Sequence, residues 1–242
     1  MQAWFESFWA DFDLNFIQAN RWKYLVDGLG VTLLITLLSG VMGTIIGVII
    51  AMVRSTYDKT KEGARMTIGR RIFGFINGLC KVYLTVLRGT PVVVQLMIIY
   101  FVIFAWSDNG IMVAALAFGL NSGAYVAEIV RGGIMSIDNG QFEAGRSLGF
   151  NYVQTMRFIV IPQVIKNVLP SLANEFIALL KETSVAGYVA VQDLTKGGDI
   201  IRSRTYSPFL PLLAVAMIYL ALVMFFSYLV SRLERRLRNS DH

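Results

Sequence analysis

Polar side chains that could bind a solute lie within the long apolar stretches of this sequence. Asn121, Tyr125 and Glu128 are spaced i, i+4 and i+7, so they share one face of a helix. A second polar stripe follows further along the chain and consists of Asn167, Ser171, Asn174 and Lys181, with Glu175 beside it. Polar groups inside a membrane span are costly and usually face a cavity or a neighbouring helix. Two readings therefore stay open, a solute site and hydrogen bonding between helices.

A weaker set of candidate residues could form a gate or line a pathway: Glu128, Lys181, Thr183 and Ser184. Glu128 has Arg131 at i+3, and the ion pair that this spacing allows makes a structural role the stronger reading for it. The other three fall just beyond the end of a predicted span. They could close an outer mouth, and they could equally anchor the end of that span.

Composition indicates an integral membrane protein. Of the 242 residues 55% are hydrophobic and only 16% are charged, whereas the surface of a soluble protein needs more charge. The net charge of +6 is scattered over loops, which argues against nucleic-acid binding. One cysteine, Cys80, and one histidine, His242, leave too few ligands for a metal centre. No G-x-x-x-x-G-K-[ST] sequence occurs, so a nucleotide would have to be bound by a partner chain.

The fold class predicted is all-α, with five transmembrane helices. The predicted spans cover residues 29–53, 91–106, 111–130, 163–180 and 208–230, and residues 72–90 are expected to lie along or enter the interface. The segments that this topology places inside hold 14 Lys and Arg residues against 5 in the outer ones. By the positive-inside rule the N-terminus is outside and the C-terminus is cytoplasmic.

Three regions follow from this topology. Residues 1–27 form an extracytoplasmic segment whose aromatic residues recur at helical spacing, and residues 28–230 form the transmembrane domain. Residues 231–242 form a basic cytoplasmic tail.

The most polar run between two predicted spans covers residues 138–162, which we call the elbow. Its helix-capping and helix-ending residues predict two short helices joined at Gly149, a position that favours a left-handed residue. Asp138 with Gln141, and Asn151 with Gln154, have the spacing of capping boxes. Pro162 is expected to end the second helix. A polar helical elbow held between membrane spans predicts a docking element.

The elbow resembles the EAA loop of permease subunits of ATP-binding-cassette (ABC) importers. Glu143, Ala144 and Gly145, then Gly149, then Ile159, Ile161 and Pro162 reproduce its spacing, with Gly145 in place of an alanine and Ile161 in place of a leucine. Residues 88–91, 121–129, 131–134, 174–177 and 181–184 resemble the polar amino-acid branch, which includes histidine, glutamine, glutamate, arginine and opine permeases. The resemblance covers about residues 28–229.

The resemblance implies a type I ABC importer permease, a non-enzymatic subunit of the bacterial cytoplasmic membrane that works by alternating access. It implies coupling to cytoplasmic ABC ATPase subunits, which bind ATP and Mg, through Glu143, Ala144, Gly145, Gly149, Ile159 and Pro162. The other implied partners are a second permease subunit, identical or homologous, an extracytoplasmic amino-acid-binding protein, and membrane lipid. No cofactor is implied in this chain.

An amino-acid substrate needs donors for its carboxylate and an acceptor for its ammonium group. Asn121, Tyr125 and Asn174 could be the donors, and Glu175 could be the acceptor. The alternatives are an ATP-independent amino-acid carrier or channel, and an intramembrane enzyme. A carrier or channel needs no docking elbow, and an enzyme needs convergent catalytic groups inside the spans.

Overall fold

The computed structural model describes residues 2–59 and 67–239, and within these ranges the protein is helical with no strand. The all-α prediction is therefore confirmed for the described part of the chain. Its α-helices, in chain order, are α1 (Gln2–Phe12), α2 (Trp22–Lys59), α3 (Ile68–Gly89), α4 (Val92–Ile98), α5 (Gly110–Met135), α6 (Asn139–Ser147), α7 (Tyr152–Thr155), α8 (Ile161–Glu182), α9 (Leu194–Thr205) and α10 (Phe209–Asn239). Lys61 and Arg65, which were counted in a predicted inner loop, fall outside the described residues.

Four of these helices, α2, α3, α5 and α10, are long and apolar enough to cross a membrane. The predicted spans 29–53, 111–130 and 208–230 lie inside α2, α5 and α10. Helix α3 differs from its prediction, because one continuous helix of 22 residues covers the segment assigned to the interface. The predicted span 91–106 contains only a short apolar run, Val92–Ile103, and about 20 residues are needed to span a bilayer.

Helix α8 contains the predicted span 163–180 but is not among these four candidates. It is long enough, at 22 residues, but its polar stripe lowers its hydropathy. The count of five spans and the orientation of the termini therefore stay predictions, as do the boundaries at residues 27 and 230.

The contacts divide the chain into two compact units. The first unit is built from the described residues of Met1–Ser39, Val92–Phe118 and Ile177–Leu229. The second unit is built from those of Gly40–Pro91, Gly119–Phe176 and Val230–His242.

In the first unit, the segment after α1 is fixed by a buried amide. Asn15 is fully buried, accepts a hydrogen bond of 2.8 Å from the Thr205 hydroxyl and donates one of 3.2 Å to Ser207 Oγ. Phe16 lies beside it in a core shared with α2, α9 and α10, whose buried members are Leu25, Leu194, Ile201, Leu210 and Val215. Helix α9 approaches α2 closely at Gly197, where a Cβ would clash with the Tyr24 carbonyl oxygen.

In the second unit, α2, α5 and α8 share a core that consists mostly of valine and isoleucine side chains, with Ala51 from α2. A Cβ at Gly47 would lie 2.5 Å from a Val126 methyl group. Helices α2 and α5 therefore pack so closely that there is no room for a side chain at residue 47. Gly43, one turn away, faces Ser122 and Gly123 of α5. The Gly43/Gly47 spacing therefore serves helix packing within the chain.

Candidate functional site

The first helix of the elbow, α6, begins after Asp138, whose side chain accepts a hydrogen bond from the Gly140 N–H. The predicted capping box with Gln141 does not form, since Gln141 Oε1 instead accepts a 3.3 Å hydrogen bond from Gln163 Nε2. Gly149 has φ +80°, which confirms the left-handed bend. The chain reverses there while the Phe150 N–H still bonds the Gly145 carbonyl at 3.0 Å.

The second helix of the elbow begins with the predicted capping box. Asn151 Oδ1 accepts from the Gln154 N–H, Gln154 Oε1 accepts from the Asn151 N–H, and both distances are 2.9 Å. The prediction that Pro162 ends this helix is wrong. A π turn at Met156–Val160 leads directly into α8, where Pro162 is the second residue. Proline has no N–H to donate, so one backbone hydrogen bond is missing directly after this widened turn.

The two elbow helices pack against each other at Gly145, which is buried against Thr155. A Cβ at residue 145 would lie 2.6 Å from Thr155 Oγ1 and 2.7 Å from Thr155 Cγ2. Thr155 is 2% exposed, and a β-branched side chain in a helix has little rotamer freedom. Glycine rather than alanine at this position is therefore required by the threonine opposite.

The remaining elbow residues present a mixed surface. Glu143 and Ala144 are exposed, Ile159 is half-buried, and Leu148, Val153 and Phe158 expose 60–71% of their surface. A cavity of about 590 Å³ lies beside them, lined in part by Glu143, Arg146, Tyr152 and Thr155. The Tyr152 and Thr155 hydroxyls are buried and have no hydrogen-bond partner within the described residues. Such a surface can accept both apolar and hydrogen-bonding groups of a partner protein.

The C-terminal end of α2 is attached to the elbow by Lys59. Its ammonium group donates a 2.7 Å hydrogen bond to Asn139 Oδ1 and lies 4.6 Å from the centroid of the Phe142 ring. Asn139 and Phe142 are in the first turn of α6. Lys59 therefore provides a non-covalent link between this helix and the elbow, in addition to the chain connection from α5.

We expect Lys59→Met to loosen this link without altering the core. A cation–π contact and an exposed charged hydrogen bond together contribute about 1 kcal/mol, so amide exchange in residues 139–147 should accelerate about fivefold. Hydrogen–deuterium exchange of the detergent-solubilised chain measures this, with the exposed Arg71→Met as the matched control. Equal exchange in the two variants would show that Lys59 does not hold the elbow.

The polar face predicted on α5 is directed at the end of α3. Asn121 Nδ2 donates a 3.2 Å hydrogen bond to the Leu87 carbonyl, and the Tyr125 ring lies 5.6 Å from the Arg88 guanidinium. Glu128, one further turn along, continues the same face. The i, i+4, i+7 spacing therefore correctly identifies one face, and Asn121 on it is 3% exposed.

Glu128 is the centre of an ion-pair cluster. Its carboxylate oxygens lie 3.0 Å from Arg54 Nη1, 3.4 Å from Arg131 Nη2 and 3.9 Å from Arg88 Nη1. Arg131 also lies 3.7 Å from Asp58. The Glu128–Arg131 pair is present as the sequence indicates. Arg54 and Arg88 are partners that sequence spacing could not reveal, although Arg88 belongs to one of the motifs that carry the resemblance.

The predicted acceptor on α8, Glu175, contacts Ser122, which was not among the predicted site residues. Ser122 is 2% exposed and donates a 3.0 Å hydrogen bond to Glu175 Oε1. Asn174, the neighbouring residue, is exposed. Ser122 lies in one of the matching motifs, which is the one signal that could have pointed to it. Of the four predicted substrate-binding residues, Tyr125 lines a described cavity, together with Arg88 and Glu128.

Three of the predicted gate residues belong to the first unit, Lys181 in the last turn of α8 and Thr183 and Ser184 just after it. Thr183 is fully buried and donates a 2.8 Å hydrogen bond to the Leu180 carbonyl. Lys181 is exposed, and Ser184 lines a cavity of about 390 Å³ with Tyr188, Lys196 and Asp199 among its walls. Thr183 is thus placed as a packed structural residue, whereas Lys181 and Ser184 remain accessible.

Two carboxylates near α9 have opposite pKa shifts. Burial raises the pKa of Asp193, which caps α9 by accepting from the Thr195 and Lys196 N–H groups. Hydrogen bonds from Arg202 and Lys196 lower the pKa of Asp199. Among the described residues no group of three or more His, Cys, Asp or Glu side chains could hold a metal ion.

The long apolar helices and the capped, partly apolar elbow between them are features that can be compared with known membrane-protein families. Residues 43–239 match the family described as binding-protein-dependent transport system inner membrane component. The chain belongs to this family, whose members are the non-catalytic permease components of ABC transport systems. It is therefore a multi-pass protein of the cytoplasmic membrane and not an enzyme, which confirms both predictions.

Relatives within the family have more particular names. The chain is 39% identical over 185 residues to a putative glutamine transport system permease protein of Rickettsia bellii, covering 69% of this chain and 85% of the relative. It is 35% identical over 185 residues to the arginine transport system permease protein of Bacillus subtilis, covering 70% and 84% respectively. A crystal structure of an amino acid ABC transporter with histidines superposes with a TM-score of 0.78 at 38% identity, covering 91% of this chain and 98% of that one.

Proposed function

We propose that this chain is the membrane-spanning subunit of an ATP-driven importer of a polar amino acid. The observation that carries the proposal is the elbow, which is fixed by two caps and the Gly145–Thr155 contact and exposes Glu143, Leu148 and Val153. The similarity to glutamine and arginine permeases supports the substrate class.

In this proposal the elbow is cytoplasmic and docks on ABC ATPase subunits, which bind ATP and Mg. Five spans place the N-terminus outside and the C-terminus inside, with residues 1–27, 28–230 and 231–242 as the three regions. Two permease subunits, identical or homologous, form the pathway, and an extracytoplasmic binding protein delivers the substrate. Closure of the ATPase subunits moves the elbows and alternates access to the pathway.

The elbow variants Glu143→Ala and Gly149→Ala test this function. We expect either to abolish most substrate-stimulated ATP hydrolysis of the reconstituted complex. Glu143 is an exposed charge available to a partner, and an alanine at φ +80° costs roughly 1–2 kcal/mol and distorts the bend. The exposed Glu234→Ala is the control, and membrane insertion is checked by fractionation. Uptake that proceeds unchanged in both variants would favour an ATP-independent carrier or channel.

We further propose that Asn121, Tyr125, Asn174 and Glu175 bind the substrate, with Glu175 as the acceptor for the ammonium group and Lys181 and Ser184 near the pathway. Glu175→Gln should lower uptake about tenfold or more, because a neutral amide replaces the charge that faces an ammonium group. Ser122→Ala is the complementary variant, because it removes the 3.0 Å hydrogen bond to Glu175 but keeps the charge, whereas Glu175→Gln removes the charge and keeps an oxygen that can accept this bond. If Ser122→Ala lowers uptake as much as Glu175→Gln does, the carboxylate serves helix packing and not substrate.

A further inference from the structure

The charged cavity in the second unit carries an inference that goes beyond amino-acid transport. This cavity, which we call the arginine cavity, has a volume of about 610 Å³ and is lined by Arg54, Lys81, Leu84, Thr85, Arg88, Gly89, Tyr125 and Glu128. Three cations therefore line it against one carboxylate. Directly behind it, Arg131 is paired with Glu128 and Asp58, which leaves the cluster with two more positive than negative charges.

The excess positive charge is available to a ligand. Glu128 is shared among Arg54, Arg131 and Arg88, and Arg88 is the most distant of the three at 3.9 Å. Lys81 is exposed, and its ammonium group has no hydrogen bond or ion pair within the described part of the chain. The Nε of Arg54 is buried and lacks a hydrogen-bond partner in the described residues. The Lys81 ammonium group and the guanidinium groups of Arg54 and Arg88, which line the cavity, match the oxygens of an anionic group.

The position of Arg54 along α2 places the arginine cavity at the membrane boundary. Residues 28–53 carry no charged side chain, and at 1.5 Å per residue this run is about 39 Å long. The hydrocarbon core of a bilayer is about 30 Å thick. Arg54 is the first charge after the apolar run, so it lies at the depth of lipid headgroups.

An exposed apolar stripe on α3 borders the arginine cavity. The stripe consists of Ile68, Ile72, Phe75, Ile76, Leu79, Val82 and Val86. Val82 and Val86 directly follow the cavity residues Lys81 and Thr85, so they lie about 100° around the helix from them. Val82 is 61% exposed and Phe75 is 68% exposed. A helix with basic residues beside an apolar face is typical of contact with anionic lipid.

We propose that the arginine cavity binds the phosphate headgroup of an anionic phospholipid, whose acyl chains lie along the α3 stripe. The excess positive charge indicates an anionic ligand. The depth of Arg54 indicates that the anion is a lipid headgroup, and the adjoining stripe indicates that the ligand has a long apolar part. The proposal uses the membrane location of the chain and does not depend on which solute is transported.

Native mass spectrometry of the detergent-solubilised full chain tests this, with phosphatidylglycerol and phosphatidylcholine as the probes. We expect phosphatidylglycerol to remain bound when phosphatidylcholine is lost. Lys81→Gln should weaken its retention about fivefold, as expected for one basic residue near an anionic lipid, while Lys81→Arg should keep it. Arg71→Gln, the same charge change ten residues away on α3, should have no effect.

Four results would overturn the proposal. Equal retention of the two lipids would show that the cavity does not prefer an anionic headgroup. A loss in Arg71→Gln equal to that in Lys81→Gln would indicate unspecific attraction. Displacement of phosphatidylglycerol by excess free glutamate would assign the arginine cavity to a soluble carboxylate, and exclusion of the lipid on dimer formation would assign the stripe to a second copy of the chain.

Discussion

Gly145→Ala should lower the apparent unfolding temperature of the chain, although it adds only a methyl group. It should also lower substrate-stimulated ATP hydrolysis, because it displaces the two elbow helices from each other. The new Cβ would lie 2.6–2.7 Å from two atoms of Thr155, and overpacking of this kind costs about 1–3 kcal/mol. Thr155 cannot rotate away easily, because its β-branched side chain is buried in a helix. Thermal unfolding in detergent measures the first effect and substrate-stimulated ATP hydrolysis of the reconstituted complex measures the second.

A second substitution tests whether the loss of stability comes from the clash with Thr155 or from any change in the elbow. Thr155→Ala removes both clashing atoms, so Gly145→Ala combined with Thr155→Ala should recover most of the lost stability. Gly132→Ala is the matched control, because Gly132 is an exposed helical glycine with open space around it. It should be neutral or stabilising by up to about 1 kcal/mol. If the double variant is no better than Gly145→Ala alone, the explanation for glycine at this position fails.

Glu128→Gln should be the most damaging single charge change in the second unit. The substitution keeps the size of the side chain but removes the anion shared by Arg54, Arg88 and Arg131. Breaking a buried pair costs about 3–5 kcal/mol. Because Glu128 and Arg54 side chains retain 26% and 15% of their exposure, we expect a smaller loss of about 1–3 kcal/mol. The apparent unfolding temperature measures this loss.

A double-mutant cycle identifies the partner responsible. Arg54→Gln combined with Glu128→Gln should cost less than the sum of the single changes, because the unpaired arginine is removed along with its partner. The exposed Glu234→Gln changes the net charge equally and should have an effect within about 0.5 kcal/mol. Additive effects of Arg54→Gln and Glu128→Gln would mean that the 3.0 Å pair does not stabilise the protein.

The features that the sequence predicted correctly are mostly local. The Asn151–Gln154 capping box, the bend at Gly149 and the shared face of Asn121, Tyr125 and Glu128 all depend on residues within a few positions of one another. Their geometry is determined by backbone preferences and helical periodicity, which are visible in sequence.

The features that sequence reading missed depend on distant parts of the chain. Nothing in the spacing around Glu175 indicates that Ser122 lies 3.0 Å away, or that Arg54 pairs with Glu128 across 74 positions. Pro162 was misread for a different reason, because a proline that ends one helix and a proline in the first turn of the next look alike in sequence. The π turn before it distinguishes the two in the structure.

The helical path through that π turn has a mechanical consequence. From Tyr152 at the elbow to Glu175 in the polar stripe the backbone stays helical without a loop, a length of about 35 Å at 1.5 Å per residue. In the proposed function, a displacement of the elbow would be transmitted along this one helical segment, which can bend at the widened turn Met156–Val160 and at Pro170. Substitutions that stiffen or loosen those two places should therefore change how far the polar stripe of α8 moves, without altering the exposed surface of the elbow.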